Sequence, residues 1–196
     1  RRADMLNICE AEGVAPWNDP TNTDQTLMRA RIRHTILPFL QEHLGGDVAL
    51  SLARTAAVAG PDAEYLDALA AAEYARLKLP AGVHLLDIPG ADTVPGNHST
   101  DAVPEEPAPV IIALNRAETA ALHPALRMRV LALATRAAQG ENPGFERLQA
   151  LDEFVAEHAT AGPVQLPGHV SAYRRRRVQD PRTGTRVDAL VLISQR

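Results

Sequence analysis

The chain has 196 residues, with 20 basic and 24 acidic side chains and a net charge of −4. This length suits one ordinary domain or two small ones, and the negative balance excludes a uniformly basic nucleic-acid coat. The charge is unevenly distributed, because 163–196 hold seven arginines and two acidic residues, whereas 35–162 are strongly acidic. Aromatic residues make up only 4% of the chain, which argues against rows of rings that stack on single-stranded bases.

Cysteine usage and hydropathy restrict the compartment and the chemistry. Cys9 is the only cysteine, so it can form neither an internal disulfide nor, alone, a zinc site, and the seven histidines show no metal-ligand spacing. No apolar run approaches the roughly 18 residues of a membrane span, and no charged-then-apolar leader is visible. We expect a cytoplasmic protein with no membrane contact and no metal site.

Residues 1–46 predict two helices separated by a loop. The first helix covers 3–12, and prolines and Asx residues in 15–24 forbid regular structure after it. The second covers 27–44, with a kink expected at Pro38, and it ends at Gly45-Gly46. The inner positions predicted for the first helix are Leu6, Ile8 and Cys9.

The next stretch predicts two helices broken at a proline. Asp47 is a good N-cap for a helix over 48–59, which Gly60-Pro61 interrupts. Another helix then extends to about Leu79, and the helical half of the chain ends at Pro80. The buried stripe predicted for this last helix comprises Tyr65, Leu66, Leu69, Tyr74 and Leu77.

After Pro80 the pattern becomes mixed. The predicted elements are a strand at 83–88, a polar proline-rich surface loop at 89–109, a strand at 110–114, and helices at 115–122, 124–139 and 145–162. Three terminal strands follow, at 164–166, from 170 into an arginine run, and at 187–193, with turn residues at 180–185. The predicted fold class is α+β and mainly helical: a helical connector over 1–80, then a small α/β domain over 81–196 with a short antiparallel terminal sheet.

A loop followed by an arginine-bearing helix is the first motif that points to a ligand. Asp19, Pro20 and Asn22 predict a loop that folds back onto its own backbone and sets the direction of the next helix. On that helix Arg29 and Arg33 share one face, and such a pair of guanidinium groups suits a phosphate or nucleotide clamp. The alternative is a solvated helix face with local ion pairs to nearby aspartates.

This arrangement resembles the tRNA(Ile)-lysidine synthase family. The similarity is to the junction at which the family's catalytic domain is followed by its helical and C-terminal parts. The matching blocks are Trp17-Asn18-Asp19-Pro20-Thr21-Asn22, the run Arg29, Arg31 and Arg33, and Leu37-Pro38-Phe39-Leu40. Two downstream blocks also match, at 122–131 and 164–168, so the resemblance covers most of the chain.

The resemblance implies an enzyme that activates the wobble cytidine of an isoleucine tRNA with ATP and then ligates free lysine to C2 of that base. It also implies that Mg²⁺ assists the reaction. The family holds pyrophosphate in a Ser-Gly-Gly-x-Asp-Ser loop. Here Gly45-Gly46 lacks both serines and suits helix termination instead. We therefore expect the ATP site to precede Arg1, with no catalytic residue in this chain, which would be inactive alone.

Four consecutive arginines, Arg174, Arg175, Arg176 and Arg177, form the second candidate RNA-binding motif. Because side chains alternate along a strand, only two of the four are expected on one surface. A solvated strand edge that resists aggregation is the alternative to tRNA phosphate binding.

The sequence therefore predicts a tRNA-binding, substrate-positioning part of a lysidine synthase. One rival is a helical interaction or dimerisation module that binds no RNA, and a homodimer is left open under either interpretation. The other rival, a tRNA-thiolating enzyme, commonly uses cysteine pairs, whereas this chain has one cysteine.

Overall fold

The computed structural model describes residues 2–17, 19–80, 109–156 and 162–194. The strand predicted at 83–88 and nearly all of the loop predicted at 89–109 lie outside these ranges. The described chain divides into two compact units, Arg1–Pro61 and Asp62–Arg196. The boundary predicted at residue 80 stays a prediction, because the segment that follows it lies outside the described residues.

The first unit is built of short helices. They are α1 (Arg2–Ala11), a 3-10 turn (Pro20–Asn22), α2 (Met28–Arg31), a π-helical turn (Ile32–Ile36) and α3 (Leu37–Leu44). The distortion expected near Pro38 is present as the π turn, because a proline cannot donate a backbone hydrogen bond to the preceding turn. Gly45 ends α3 with a positive φ of 70°, as the Gly-Gly pair predicts.

One long helix, α4 (Val48–Leu77), replaces the two helices predicted here. Its N-cap is confirmed, since Asp47 Oδ1 accepts a hydrogen bond from the Leu50 N–H at 2.9 Å. The predicted break at Gly60-Pro61 is wrong, and Pro61 lies inside the helix. Strong helix formers, mostly alanines, flank the proline on both sides, so the loss of one backbone hydrogen bond does not end the helix.

The second unit contains a four-stranded antiparallel sheet in the order β1-β4-β3-β2. Its strands are β1 (Ile111–Asn115), β2 (Val164–Leu166), β3 (Val170–Gln179) and β4 (Arg186–Ser194). Its helices after β1 are α5 (Arg116–Ala121), α6 (Pro124–Ala137) and α7 (Phe145–Ala156). This confirms the mainly helical α+β class and the antiparallel terminal sheet.

Both faces of the sheet are buried, and alternate residues of each strand serve opposite faces. One face packs with residues of α4, α6 and α7, through the side chains Ile112, Leu114, Val170, Ala172, Leu190 and Leu192. The other face clusters Ala113, Val178, Ala189, Val191 and Ile193 with Leu79, whose N–H donates to the Ala113 carbonyl at 2.8 Å. None of the described helices is long and apolar enough to cross a bilayer.

Some residues predicted to be buried are exposed. Leu6 and Ile8 are 45% and 54% exposed, and Tyr65 is 66% exposed. Cys9 is only partly buried. Helical periodicity predicts which residues share a face, but not whether another element covers that face. Leu77 is buried as predicted, at 1% exposure.

Candidate nucleic-acid interface

Two side-chain-stabilised turns shape the loop before α2. Asp19 Oδ1 accepts hydrogen bonds from the Thr21 N–H at 2.9 Å and from its hydroxyl at 2.8 Å, where the 3-10 turn through Pro20 and Asn22 begins. Asp24 Oδ1 accepts an equivalent pair from Thr26, and these bonds lower the pKa of the Asp24 carboxyl. Trp17, ahead of the turns, is 82% exposed.

Arg31 holds this loop against the helix that follows. Its Nε and Nη2 donate to the carbonyls of Gln25 and Thr26, both at 3.2 Å. His34 Nε2 lies 2.9 Å from the Asn22 carbonyl oxygen and ties the other end of the loop to the π turn. The guanidinium of Arg31 is thereby engaged with the protein backbone.

Arg29 and Arg33 are arranged differently from Arg31. Both line a cavity of about 280 Å³, together with Thr21, Asn22, Leu27 and Ala30. No residue in the described ranges forms a hydrogen bond or an ion pair with either guanidinium group. The spacing of four residues brings these two arginines to one concave surface, as the sequence predicts.

The four-arginine run lies at a β-bulge in β3. Arg175 pairs with Ala189 and Val178 pairs with Val187, so Arg176 and Arg177 together oppose the single residue Asp188. Arg177 has a positive φ of 57°, which a non-glycine residue rarely adopts. Its N–H donates to Asp188 Oδ1 at 3.2 Å and so stabilises the bulge.

Regular alternation, which puts only two of the arginines on one surface, applies to Arg174 and Arg175, which have one partner each, but not across the bulge at Arg176 and Arg177. Arg174, Arg175, Arg176 and Arg177 all line one concavity of about 290 Å³. Strict alternation holds only while each residue of a strand has one partner, and the extra residue at the bulge breaks it. The remaining lining residues are Arg116 and Asp188. We call this concavity the arginine pocket.

The arginines of the pocket differ in how the protein engages them. The Arg174 guanidinium lies 4.3 Å from the centre of the Phe154 ring, and its Nε donates to the Phe154 carbonyl at 2.6 Å. Arg175 lies 5.5 Å from the Tyr173 ring centre. Arg176 and Arg177 are exposed, so their side chains can reach a ligand in solvent.

Arg116 is a member of the pocket that sequence reasoning missed. Asn115 caps α5, because its Oδ1 accepts a hydrogen bond from the Glu118 N–H at 3.2 Å, and Arg116 is therefore the first residue of the helix. Arg116 is only 8% exposed, although it lines the pocket. A lone arginine at a helix start carries no pattern that links it to a strand more than fifty residues later.

Two arginines that lie between Arg116 and the β3 run in sequence are engaged by carboxylates. Arg127 pairs with Asp152, and the hydrogen bond to that carboxylate raises the pKa of the Arg127 guanidinium. Arg129 pairs with Asp67 at 2.8 Å. Arg127 and Arg129 thus contact carboxylates on two different helices, α7 and α4. Within the described ranges no three His, Cys, Asp or Glu side chains are grouped so that they could hold a metal ion.

Comparisons with known proteins agree with the resemblance. Residues 114–179 match a family model described as the TilS substrate binding domain. The tRNA(Ile)-lysidine synthase of Leifsonia xyli is 32% identical over 168 residues, which are 86% of this chain and 43% of the relative. That of Bifidobacterium longum subsp. infantis is 30% identical over an alignment 190 residues long, which covers 90% of this chain and 47% of the relative.

A shorter match, to the tRNA(Ile)-lysidine synthase of Tropheryma whipplei, is 48% identical over 68 residues, covering 35% of this chain and 17% of the relative. The chain spans less than half the length of these curated relatives. The resemblance seen in the sequence motifs is thus confirmed, and the chain is related to the tRNA(Ile)-lysidine synthases and contains a match to their substrate-binding domain.

Proposed function

We propose that this chain is the tRNA-binding C-terminal part of a cytoplasmic tRNA(Ile)-lysidine synthase. The whole enzyme would ligate free lysine to C2 of the wobble cytidine of an isoleucine tRNA. ATP, with Mg²⁺, would be bound by the catalytic domain that precedes this part, and the present chain would contribute no catalytic residue. Its work is to hold the tRNA in position, so the chain alone would be inactive.

The observation that carries the proposal is the convergence of the arginine run on one pocket. RNA phosphates are bound by arginine side chains through bidentate, charge-assisted hydrogen bonds, largely without regard to base sequence. Arg176 and Arg177 are exposed at the bulge, while Arg174 and Arg175 are held by neighbouring aromatic rings. The pocket thus offers exposed cations on a rigid strand, which suits positioning of a polyanion.

The cavity beside Arg29 and Arg33 is a second proposed contact surface for RNA or nucleotide. Arg31 is not expected to add to it directly, because its guanidinium is bound to the backbone carbonyls of Gln25 and Thr26. Its contribution would be to shape the loop that forms one wall of the cavity.

Charge reversal at the exposed arginines tests the proposal. We expect Arg176→Glu with Arg177→Glu in the full-length protein to weaken binding of an isoleucine tRNA by about tenfold or more at moderate salt, because the phosphate contacts become repulsive. The measurement is a mobility-shift titration. The matched control is Arg136→Glu with Arg147→Glu, which changes net charge equally at two exposed positions on α6 and α7.

The two pairs of substitutions separate local from global effects. Equal weakening by both pairs would attribute the loss to net charge rather than to the pocket. Unchanged binding in the Arg176 and Arg177 double variant would leave the arginine run as a solvated edge and would reject the proposal.

The helical interaction module remains the second candidate, and one observation favours it. Exposed apolar side chains are spaced along α4, namely Leu50, Leu52, Val58 and Tyr65. Apolar side chains exposed on a helix can pack against a second helix on association, and contiguous apolar patches mark such sites. Sedimentation of the chain without RNA discriminates, since a tight dimer that does not shift tRNA would support the module.

A further inference from the structure

The arginine pocket combines two elements that are distant in sequence. β3 contributes four arginines and α5 contributes Arg116 to the lining of the same cavity, and Asp188 of β4 also lines it. Its volume of about 290 Å³ lies near the lower end of the range for small-ligand sites, about 300 to 1,000 Å³. A cavity of this size suits one phosphate with its sugar rather than a length of strand.

The single carboxylate in this pocket has a structural partner. An acidic group among arginines opposes anion binding, so its position calls for a compensating role. Asp188 Oδ1 accepts the N–H of Arg177, the bulge residue with positive φ. That hydrogen bond holds the backbone conformation of the bulge, at which Arg176 and Arg177 line the pocket.

We propose that the arginine pocket is a seat for a single RNA phosphate, in which Arg116 is a further binding residue and Asp188 is a positioning residue. This inference rests on the proposed function and goes beyond it, because it specifies one phosphate rather than a track of them. In this pocket the negative charge of Asp188 opposes phosphate binding, whereas its hydrogen bond to Arg177 supports phosphate binding by holding the bulge.

The salt dependence of tRNA binding counts the phosphates. The slope of log affinity against log salt falls by about 0.7 to 0.9 for each phosphate that the protein no longer neutralises. For one shared seat, Arg176→Ala with Arg177→Ala in the full-length protein reduces the slope by about that single amount. A reduction of about twice as much would mean two separate phosphates and would overturn the single seat.

Two substitutions separate the roles of Asp188. Asp188→Asn keeps an oxygen that can accept the Arg177 N–H but removes the negative charge, so we expect tighter tRNA binding, by about twofold or more. Asp188→Ala removes the acceptor and should weaken binding, because the bulge loses its anchor. Tighter binding by both variants would reduce Asp188 to a repulsive charge and overturn the positioning role.

Folding controls keep this test decisive. Circular dichroism and the unfolding midpoint are recorded for each variant. If Asp188→Ala does not fold, the Asp188→Asn result still decides, because unchanged or weaker binding in that folded variant would contradict an anion seated beside the carboxylate. Two substitutions test Arg116. We expect Arg116→Gln to weaken tRNA binding several-fold and Arg116→Lys to weaken it less, because lysine keeps the positive charge. Equal weakening by Arg116→Gln and Arg116→Lys would mean that Arg116 contributes only packing.

The source of the phosphate is tested with two small probes, inorganic phosphate and a 5′-mononucleotide. An RNA seat binds both far more weakly than it binds tRNA. Saturable binding of either probe by wild type, abolished in the Arg176 and Arg177 double variant, would assign the pocket to a free phosphate ester. If charge reversal at Arg176 and Arg177 weakens tRNA binding while the salt slope or the Asp188 variants depart from the results expected here, the single-phosphate seat is rejected and the proposed function stands.

Discussion

Replacing Arg127 with alanine is expected to lower the free energy of unfolding by about 3 kcal/mol, because it strips a mostly buried ion pair of one partner. The Arg127 Nε and Nη2 donate to the two oxygens of Asp152, at 2.5 and 2.8 Å. Its Nη1 donates to the carbonyls of Ala120 and Leu122, at 2.9 and 3.0 Å. The side chains of the ion pair are only 13% and 20% exposed. One guanidinium therefore joins α6, α7 and the end of α5.

Denaturant unfolding followed by circular dichroism measures the loss. Arg127→Lys should recover part of it, since an ammonium group keeps the charge but cannot reproduce the bidentate geometry. Arg147→Ala, at an exposed position of α7, is the matched control and should change stability by no more than about 0.5 kcal/mol. A loss below about 1 kcal/mol for Arg127→Ala would contradict the role assigned to this ion pair.

The second large effect is expected at Gly168, in the turn between β2 and β3. Gly168 has a φ of 77°, and an added Cβ would lie 2.6 Å from the Glu141 nitrogen and 2.8 Å from the Gly140 Cα. The segment after α6 packs against this turn, and the Glu141 N–H donates to the Pro167 carbonyl at 3.2 Å. Gly168→Ala should therefore lower stability by about 3 kcal/mol, combining left-handed strain with a backbone clash.

Gly184→Ala distinguishes the two contributions. Gly184 has a similar φ of 69°, but nothing lies within 4 Å of the position that its Cβ would take. We expect a loss of about 1 kcal/mol at Gly184, from strain alone. Similar losses at both positions, measured by thermal or denaturant unfolding, would mean that the close approach at Gly168 adds nothing.

Local signals predicted much of the second unit. Asn115 as a cap, Pro124 at a helix start and the turn at 180–185 are decided by neighbouring residues, so the sequence suffices for them. Period-two alternation likewise predicted antiparallel strands with two distinct faces. The terminal sheet and the order of its flanking helices were therefore foreseeable.

Features that depend on distant partners were not foreseeable. The bulge follows from the register of β3 against β4, and its anchor Asp188 lies eleven residues from Arg177. Alternation alone therefore does not describe the strand at Arg176 and Arg177. Arg116 joins them only through the tertiary fold. Similarly, the continuity of α4 through Pro61 reflects the helix formers on both sides, which outweigh a single helix breaker.

The central claim, that the arginine pocket holds tRNA, is tested most directly by mapping ultraviolet cross-links between the full-length protein and an isoleucine tRNA. Digestion should use a protease that does not cleave at arginine, so that the β3 peptide stays intact. Tyr173 adjoins the pocket beside Arg175 and provides an aromatic ring for cross-linking. We predict a tRNA cross-link in the peptide that contains residues 170–179, abolished by charge reversal of Arg176 and Arg177. Cross-links confined to other parts of the protein, with none in that peptide, would contradict the account.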